Sequence, residues 1–201
     1  MEMTGEQLIP ASQQTVWNAL NDPQMLKACV PGAESIEPAG ENVYQVQMLA
    51  KVGPVSARFK GKLTLSDIRA PESYSIAFEG QGGAAGFAKG GAQVRLSQKD
   101  RQTLLSYDVK ANVGGKLAQI GSRLVDAAAK KIADEFFRNF NEKVAAQGAA
   151  DDTVVLPKDS GQDKPGSDPG DKPLPGLSDT ALAFFAAGAL AAVFTALVTM
   201  L

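Results

Sequence analysis

The chain predicts an α+β domain in which a curved antiparallel sheet is closed by one long C-terminal helix, followed by a disordered linker and one transmembrane helix. Three observations carry that expectation. Hydrophobicity alternates with a period of two from about residue 33 to 113, and it switches to helical spacing from Lys116 to Ala146. The last 21 residues, Ala181 to Leu201, contain no charged side chain. The organisation that follows is a folded domain over 1–147, a Pro/Gly/Asp-rich linker over 148–176 and a membrane tail over 177–201.

Taken in order, the domain opens on a short strand, Gln7-Leu8-Ile9, which Pro10 ends. Ser12 then suits the N-cap of a helix that buries Val16, Trp17 and Leu20. Asp22-Pro23 starts a second short helix, with Asp22 capping and Pro23 at the first helical position, and Val30-Pro31-Gly32 breaks it. Strands are expected at 33–38, 43–51, 55–68, 73–81, 86–98 and 103–113. The pieces between them, such as Gly53-Pro54 and Ala70-Pro71-Glu72, are rich in turn residues. Tyr44, Val46 and Met48 oppose Gln45 and Gln47, and Phe59, Leu63 and Leu65 oppose Arg58, Lys60 and Lys62. Connections this short imply sequential antiparallel hairpins with one wet and one buried face.

A single helix over 116–146 closes the domain, with Leu117, Ile120, Leu124, Ala128, Ile132, Phe136, Phe140 and Val144 on its buried face. Between a curved sheet and this helix there is room for a cavity. Two features favour one. Small residues and Gly121 line the helix half that precedes Phe136, Phe137 and Phe140, and the sheet is rich in glycine, which cannot fill a core.

Residues 157–176 hold five prolines, four glycines, four aspartates and three lysines, a composition that buries too little surface to offset its ordering entropy. The 29 residues of the linker would span roughly 30 Å as a flexible coil. The 21-residue stretch behind it is about 31 Å long as a helix, close to the ~30 Å hydrocarbon core of a bilayer. The N-terminus, Met1-Glu2-Met3-Thr4-Gly5-Glu6, lacks the apolar run of a signal peptide. Together these predict a protein of the cell inner membrane, held by a single-pass C-terminal anchor with its main domain in the cytoplasm.

Residues 1–147 carry 17 Lys and Arg against 15 Asp and Glu, without the basic excess of a nucleic-acid binder. Histidine is absent and Cys29 is the one cysteine, which removes Ser-His-Asp and Cys-His machinery and argues against a metal site. Cys29 reads as a small buried apolar residue. The cluster Gly80, Gly82, Gly83, Gly86, Gly90, Gly91 joins two strands with no helix N-terminus behind it, so it is not a phosphate loop. Arg58, Lys60 and Lys62 form a basic row on an outer sheet face, which reads first as a solvated face and second as a contact for anionic headgroups or an acidic partner.

The order of elements resembles the START-like helix-grip superfamily. Within it, Cys29-Val30-Pro31-Gly32-Ala33-Glu34, the stretch from Lys51 to Gly61, Gly86-Phe87-Ala88-Lys89-Gly90-Gly91-Ala92 and Gly114 to Leu124 resemble the G-subunit family of carbon monoxide dehydrogenase, over about 1–147. That resemblance implies an accessory protein, not an enzyme, whose partner is a molybdenum carbon monoxide dehydrogenase or a related hydroxylase. It also implies a lipophilic ligand between sheet and helix. Coupling such a dehydrogenase to the respiratory chain makes an isoprenoid quinone, for instance menaquinone, the expected ligand. Its expected wall is Tyr44, Met48, Phe59, Phe78, Phe87, Leu117, Ile120 and Leu124, all placed inward by alternation or helical phase. The alternative reading is a structural adaptor that recruits the dehydrogenase to the membrane, or an assembly factor for it, without a ligand.

Overall fold

A computed structural model describes residues 1–151, with side chains through Ala146. Seven strands form one sheet: β1 (Glu2–Ile9), β2 (Ala33–Gly40), β3 (Val43–Val52), β4 (Val55–Arg69), β5 (Ser73–Gln81), β6 (Phe87–Lys99) and β7 (Gln102–Gly114). Their order is β1-β7-β6-β5-β4-β3-β2, antiparallel throughout. Helices α1 (Gln13–Leu20) and α2 (Pro23–Cys29) lie between β1 and β2, and α3 (Lys116–Gln119) and α4 (Ser122–Asp151) follow β7. The tail expected at 177–201 and the linker beyond Asp151 lie outside the described residues; α4 itself runs four residues into the stretch read as linker. Among the described residues no helix is long and apolar enough to cross a membrane.

Local chemistry explains the short helices. The Thr15 N–H donates to Ser12 Oγ at 3.2 Å and the Gln24 N–H to Asp22 Oδ1 at 2.8 Å, so each cap satisfies a first-turn donor. Pro23 occupies the first helical position of α2, where no backbone hydrogen bond is lost. The first strand is longer than the expected 7–9, because its inward positions Met3, Gly5 and Gln7 carry no apolar alternation to read. Pairing with β7 defines it instead, from Glu2 opposite Lys110 to Ile9 opposite Thr103.

The expected single helix over 116–146 is in fact two. Gly121 has φ +92°, a left-handed conformation that ends α3 and re-aims the chain into α4. The buried face differs as well: Val125 and Ala129 point inward, with Ile132, Phe136, Phe140 and Val144, while Leu124 is exposed. The cause is geometric. Each i,i+4 step overshoots a full turn by about 40°, so Leu124 lies about 120° around the helix from Phe136. A stripe that stays on the core must mix steps of three and four, as 125, 129, 132, 136, 140 does.

Bulk is distributed unevenly along the molecule. The α1–α2 end is filled by Trp17 edge-on to Tyr74 at 5.5 Å and by Phe136 stacked with Phe140 at 5.4 Å. Toward the β3–β4 turn the inner face carries Ala50, Ala57, Ala85 and Ala88, with Val125 and Ala129 on the helix side.

Candidate functional site

Hairpin registry arranges the inner sheet face in rows. Tyr44 pairs with Leu63 and Leu63 with Phe78, whose ring lies over Gly90 on the next strand. Four residues along, Met48 pairs with Phe59, whose ring lies over Gly82. Between these rows runs Val46–Gly61–Gly80–Ala88–Val113. That middle row has no aromatic ring and two residues with no side chain, so in side-chain bulk it is a trough between rows of larger groups. Leu117 of α3 is fully buried, and Ile120, half-buried, packs against the same core.

Of the eight residues expected on a ligand wall, the structure brings Tyr44, Met48, Phe59, Phe78 and Leu117 into the core and sets Ile120 at its margin. Phe87 and Leu124 do not point inward; they are 48 % and 52 % exposed. Phe87 fails on parity. Inward positions of β6 are Ala88, Ala92, Val94 and Leu96, so an odd-numbered neighbour faces out, where its ring covers Gly114 of β7. Leu124 fails on the helical phase given above, and it stands at the edge of the β3–β4 turn, within 4.0 Å of where a Gly53 side chain would begin.

Sheet glycines do not in general mark empty space. A Cβ on Gly5, Gly82 or Gly114 would meet the side chain of Tyr107, Phe59 or Phe87, at 2.3, 2.2 and 2.3 Å respectively, and one on Gly90 would meet the Lys110 carbonyl oxygen before the Phe78 ring at 2.8 Å. The room that Gly5, Gly82 and Gly114 leave is taken by an aromatic side chain on the neighbouring strand, a pairing that stabilises a strand glycine. Gly61 and Gly80 of the trough differ, since they pair with each other and with Val46 and Ala88, none of them aromatic. Sequence reasoning missed that row, although its signal was present. The two-residue turn Gly53-Pro54 sets Val52 opposite Val55, which places Val46 opposite Gly61. Tyr107, which alternates with Leu105 and Val109 on the apolar face of its strand, was not among the expected wall residues; it stacks on Phe137 at 5.8 Å between β7 and α4.

Elsewhere the chemistry is quiet. Cys29 is fully buried, its Sγ 3.8 Å from Met25 Sδ, and burial pushes its thiol pKa up to about 11 against a lesser pull from Lys143. Among the described residues no group of three His, Cys, Asp or Glu side chains stands close enough to hold a metal ion. Arg58 is committed to Glu34 through bonds of 2.7, 2.8 and 3.0 Å, which takes one member out of the basic row. Lys60 and Lys62 remain on the wall of a shallow outer groove of about 640 Å³ that Gln45, Gln47 and Gln81 also line.

Comparison with known proteins fits this geometry. The family profile of CoxG, the G subunit of carbon monoxide dehydrogenase, matches residues 5–145. The chain belongs to the CoxG family. A crystal structure of a conserved protein from Geobacillus kaustophilus is 29 % identical, with a TM-score of 0.70 over 73 % of this chain and 97 % of that one. An aromatase/cyclase from Streptomyces sp. R1128 shares 14 % identity and a TM-score of 0.56, over 77 % of this chain and 99 % of its own. A START superfamily protein from Mycobacterium smegmatis shares 12 % and 0.56, over 73 % and 98 %. The last two likenesses establish the START-like fold of this CoxG-family chain. No curated protein matches it by sequence.

Proposed function

We propose that this CoxG-family protein is a non-catalytic carrier. In this reading it takes an isoprenoid quinone such as menaquinone from the bilayer and presents it to a molybdenum carbon monoxide dehydrogenase, linking that enzyme to the respiratory chain. The observation that carries the reading is the trough Val46–Gly61–Gly80–Ala88–Val113. It is uncharged, it crosses the inner face of the sheet, and rings on either side would hold a flat, apolar head group by stacking. An apolar slot with few polar groups is what a lipophilic ligand requires. The family name supplies the partner. The uncharged stretch 181–201 supplies the link to the lipid phase, with the main domain on the cytoplasmic side of the inner membrane. A catalytic role finds no support in a chain with no histidine and with its one cysteine held as a buried thiol.

One observation favours a second reading. Tyr44, Met48, Phe59, Phe78 and Leu117 all belong to one continuous core, as they would in an adaptor that only recruits the dehydrogenase. Native mass spectrometry with solvent extraction of full-length protein from its own host separates the two. A stoichiometric quinone is the outcome expected of the carrier. An empty, well-folded protein that still binds the dehydrogenase would transfer the assignment to the adaptor.

A further inference from the structure

Charge is polarised along the strand direction. Three segments meet at one end of the sheet: the β3–β4 turn with its flanks (50–57), the β5–β6 connection (80–92) and the β7–α4 junction (111–125). They are in mutual contact. A Cβ on Gly115 would lie 2.5 Å from Gly86 Cα, one on Gly82 would strike Phe59 just past the first segment, and Leu124 adjoins Gly53. These three segments contain no Asp or Glu, and they carry Lys51, Lys89, Lys116 and Arg123; of the acids beside them, Glu2 is paired with Lys110 and Glu34 with Arg58, and Asp126 follows on α4. Lys89 lies opposite Glu79, but no ion pair among the described residues engages Lys51, Lys116 or Arg123. Leu124 and Phe87, two of the four large exposed apolar side chains among the described residues, stand on this same rim. The opposite end is mixed, with Glu41, Asp67, Glu72 and Asp100 beside Arg69, Lys99 and Arg101.

We infer that this rim is a docking face for an anionic lipid surface, with Lys51, Lys116 and Arg123 on the headgroups and Leu124 entering among them. Charge complementarity selects the occupant: a cation beside an anionic bilayer is attracted by about 1 kcal/mol, and an exposed leucine among cations gains on leaving water. The inference rests on the carrier reading in one respect. The docked rim is the end of the domain next to the Met48–Phe59 row that borders the slot, so a ligand would pass between slot and bilayer past that one row without crossing bulk water. Arg58 and Lys60 lie farther along the outer face and are not required.

The test uses full-length protein reconstituted with vesicles, carrying an environment-sensitive fluorophore at Leu124→Cys or, as the far-end control, at Glu72→Cys. Wild-type protein gives the labelling background, because Cys29 is buried and protonated at neutral pH. On phosphatidylglycerol vesicles the probe at 124 should shift to the blue, and on phosphatidylcholine vesicles it should not. The shift should fall when salt is raised from 0.1 to 1 M, as the screening length drops from about 10 to about 3 Å. Each charge reversal, Lys51→Glu, Lys116→Glu or Arg123→Glu, should lower the docked-to-free ratio by at least about fivefold. A probe at 124 that stays in water on anionic vesicles, or an equal shift at position 72, overturns the inference. Flotation with vesicles in high salt reads the tail separately, so loss of flotation indicts the membrane tether and loss of the probe shift indicts the rim.

Discussion

Replacing Ala88 by leucine turns the trough into a measurable sign. Ala88 is buried within the row, with Gly80 on one side and Val113 on the other. Leucine adds three carbon atoms. If the row is an unfilled slot in the ligand-free protein, burying them contributes up to about 2.4 kcal/mol at ~0.8 kcal/mol per carbon. In a slot already filled by its neighbours, the same carbons overpack the core and cost about 1–3 kcal/mol. At about 2–4 °C per kcal/mol for a chain of this size, the two cases move Tm in opposite directions by several degrees. The assay is thermal unfolding by circular dichroism on solvent-extracted Ala88→Leu and wild-type protein, with quinone retention measured on the unextracted forms. The carrier requires a raised Tm without ligand together with lost retention. A Tm lowered by several degrees, in a variant that retains ligand as wild type does, would refute the trough as the binding slot.

Glycine geometry and thiol burial give three further expected outcomes. Gly121→Ala meets no atom within 4 Å, so its cost is backbone strain alone, about 1–2 kcal/mol for a side chain held at φ +92°, read as a lower urea midpoint with an unchanged m-value. Gly82→Ala places a Cβ 2.2 Å from the Phe59 ring, and displacing that buried ring should cost about 1–3 kcal/mol; Phe59→Leu in the same chain should recover part of it. Burial raises the Cys29 thiol from 9.0 to about 11 in the folded state, so the unfolded chain loses its proton first as pH rises. The Cys29 contribution to stability is therefore complete below pH 9 and declines between pH 9 and 11, by on the order of 1 kcal/mol per pH unit. Cys29→Ala should remove that slope from urea titrations run across the window.

Much of the fold was legible because its signals are local. Turn residues and alternation placed six strands to within two residues, and Ser12, Asp22 and Pro23 announced α1 and α2 through caps that depend on no distant contact. What escaped was set by partners far away in sequence. The first strand exists through its pairing with β7, and Gly5 looks like a gap only until Tyr107 arrives from across the sheet. Phe87 and Leu124 show two distinct failures of phase. Parity counted back from Val94 already assigns Phe87 outward. Leu124 needed recognition that steps of four drift around a helix, and that Gly121 resets the phase after α3.

Those same two residues change what the fold implies. A leucine and a phenylalanine inside would make a tight slot; outside, they make an apolar rim set among Lys51, Lys116 and Arg123. Rigidity supports the distinction. The far end is locked by Trp17 against Tyr74, by Phe136 against Phe137 and Phe140, and by the Asn139 side chain donating to the Cys29 carbonyl at 3.1 Å. At the rim, Gly86, Gly115 and Gly121 all hold positive φ, and α3 is a four-residue helix with no side-chain cap. Local opening is least costly where buried apolar contacts are fewest and backbone bonds lie nearest solvent. Hydrogen exchange should accordingly find α3 and the 82–86 connection opening well below the global unfolding free energy, while α1, α2 and the Phe136–Phe140 turn exchange only through it. Equal protection at both ends would leave the rim as rigid as the core, with no path for a ligand between the layers.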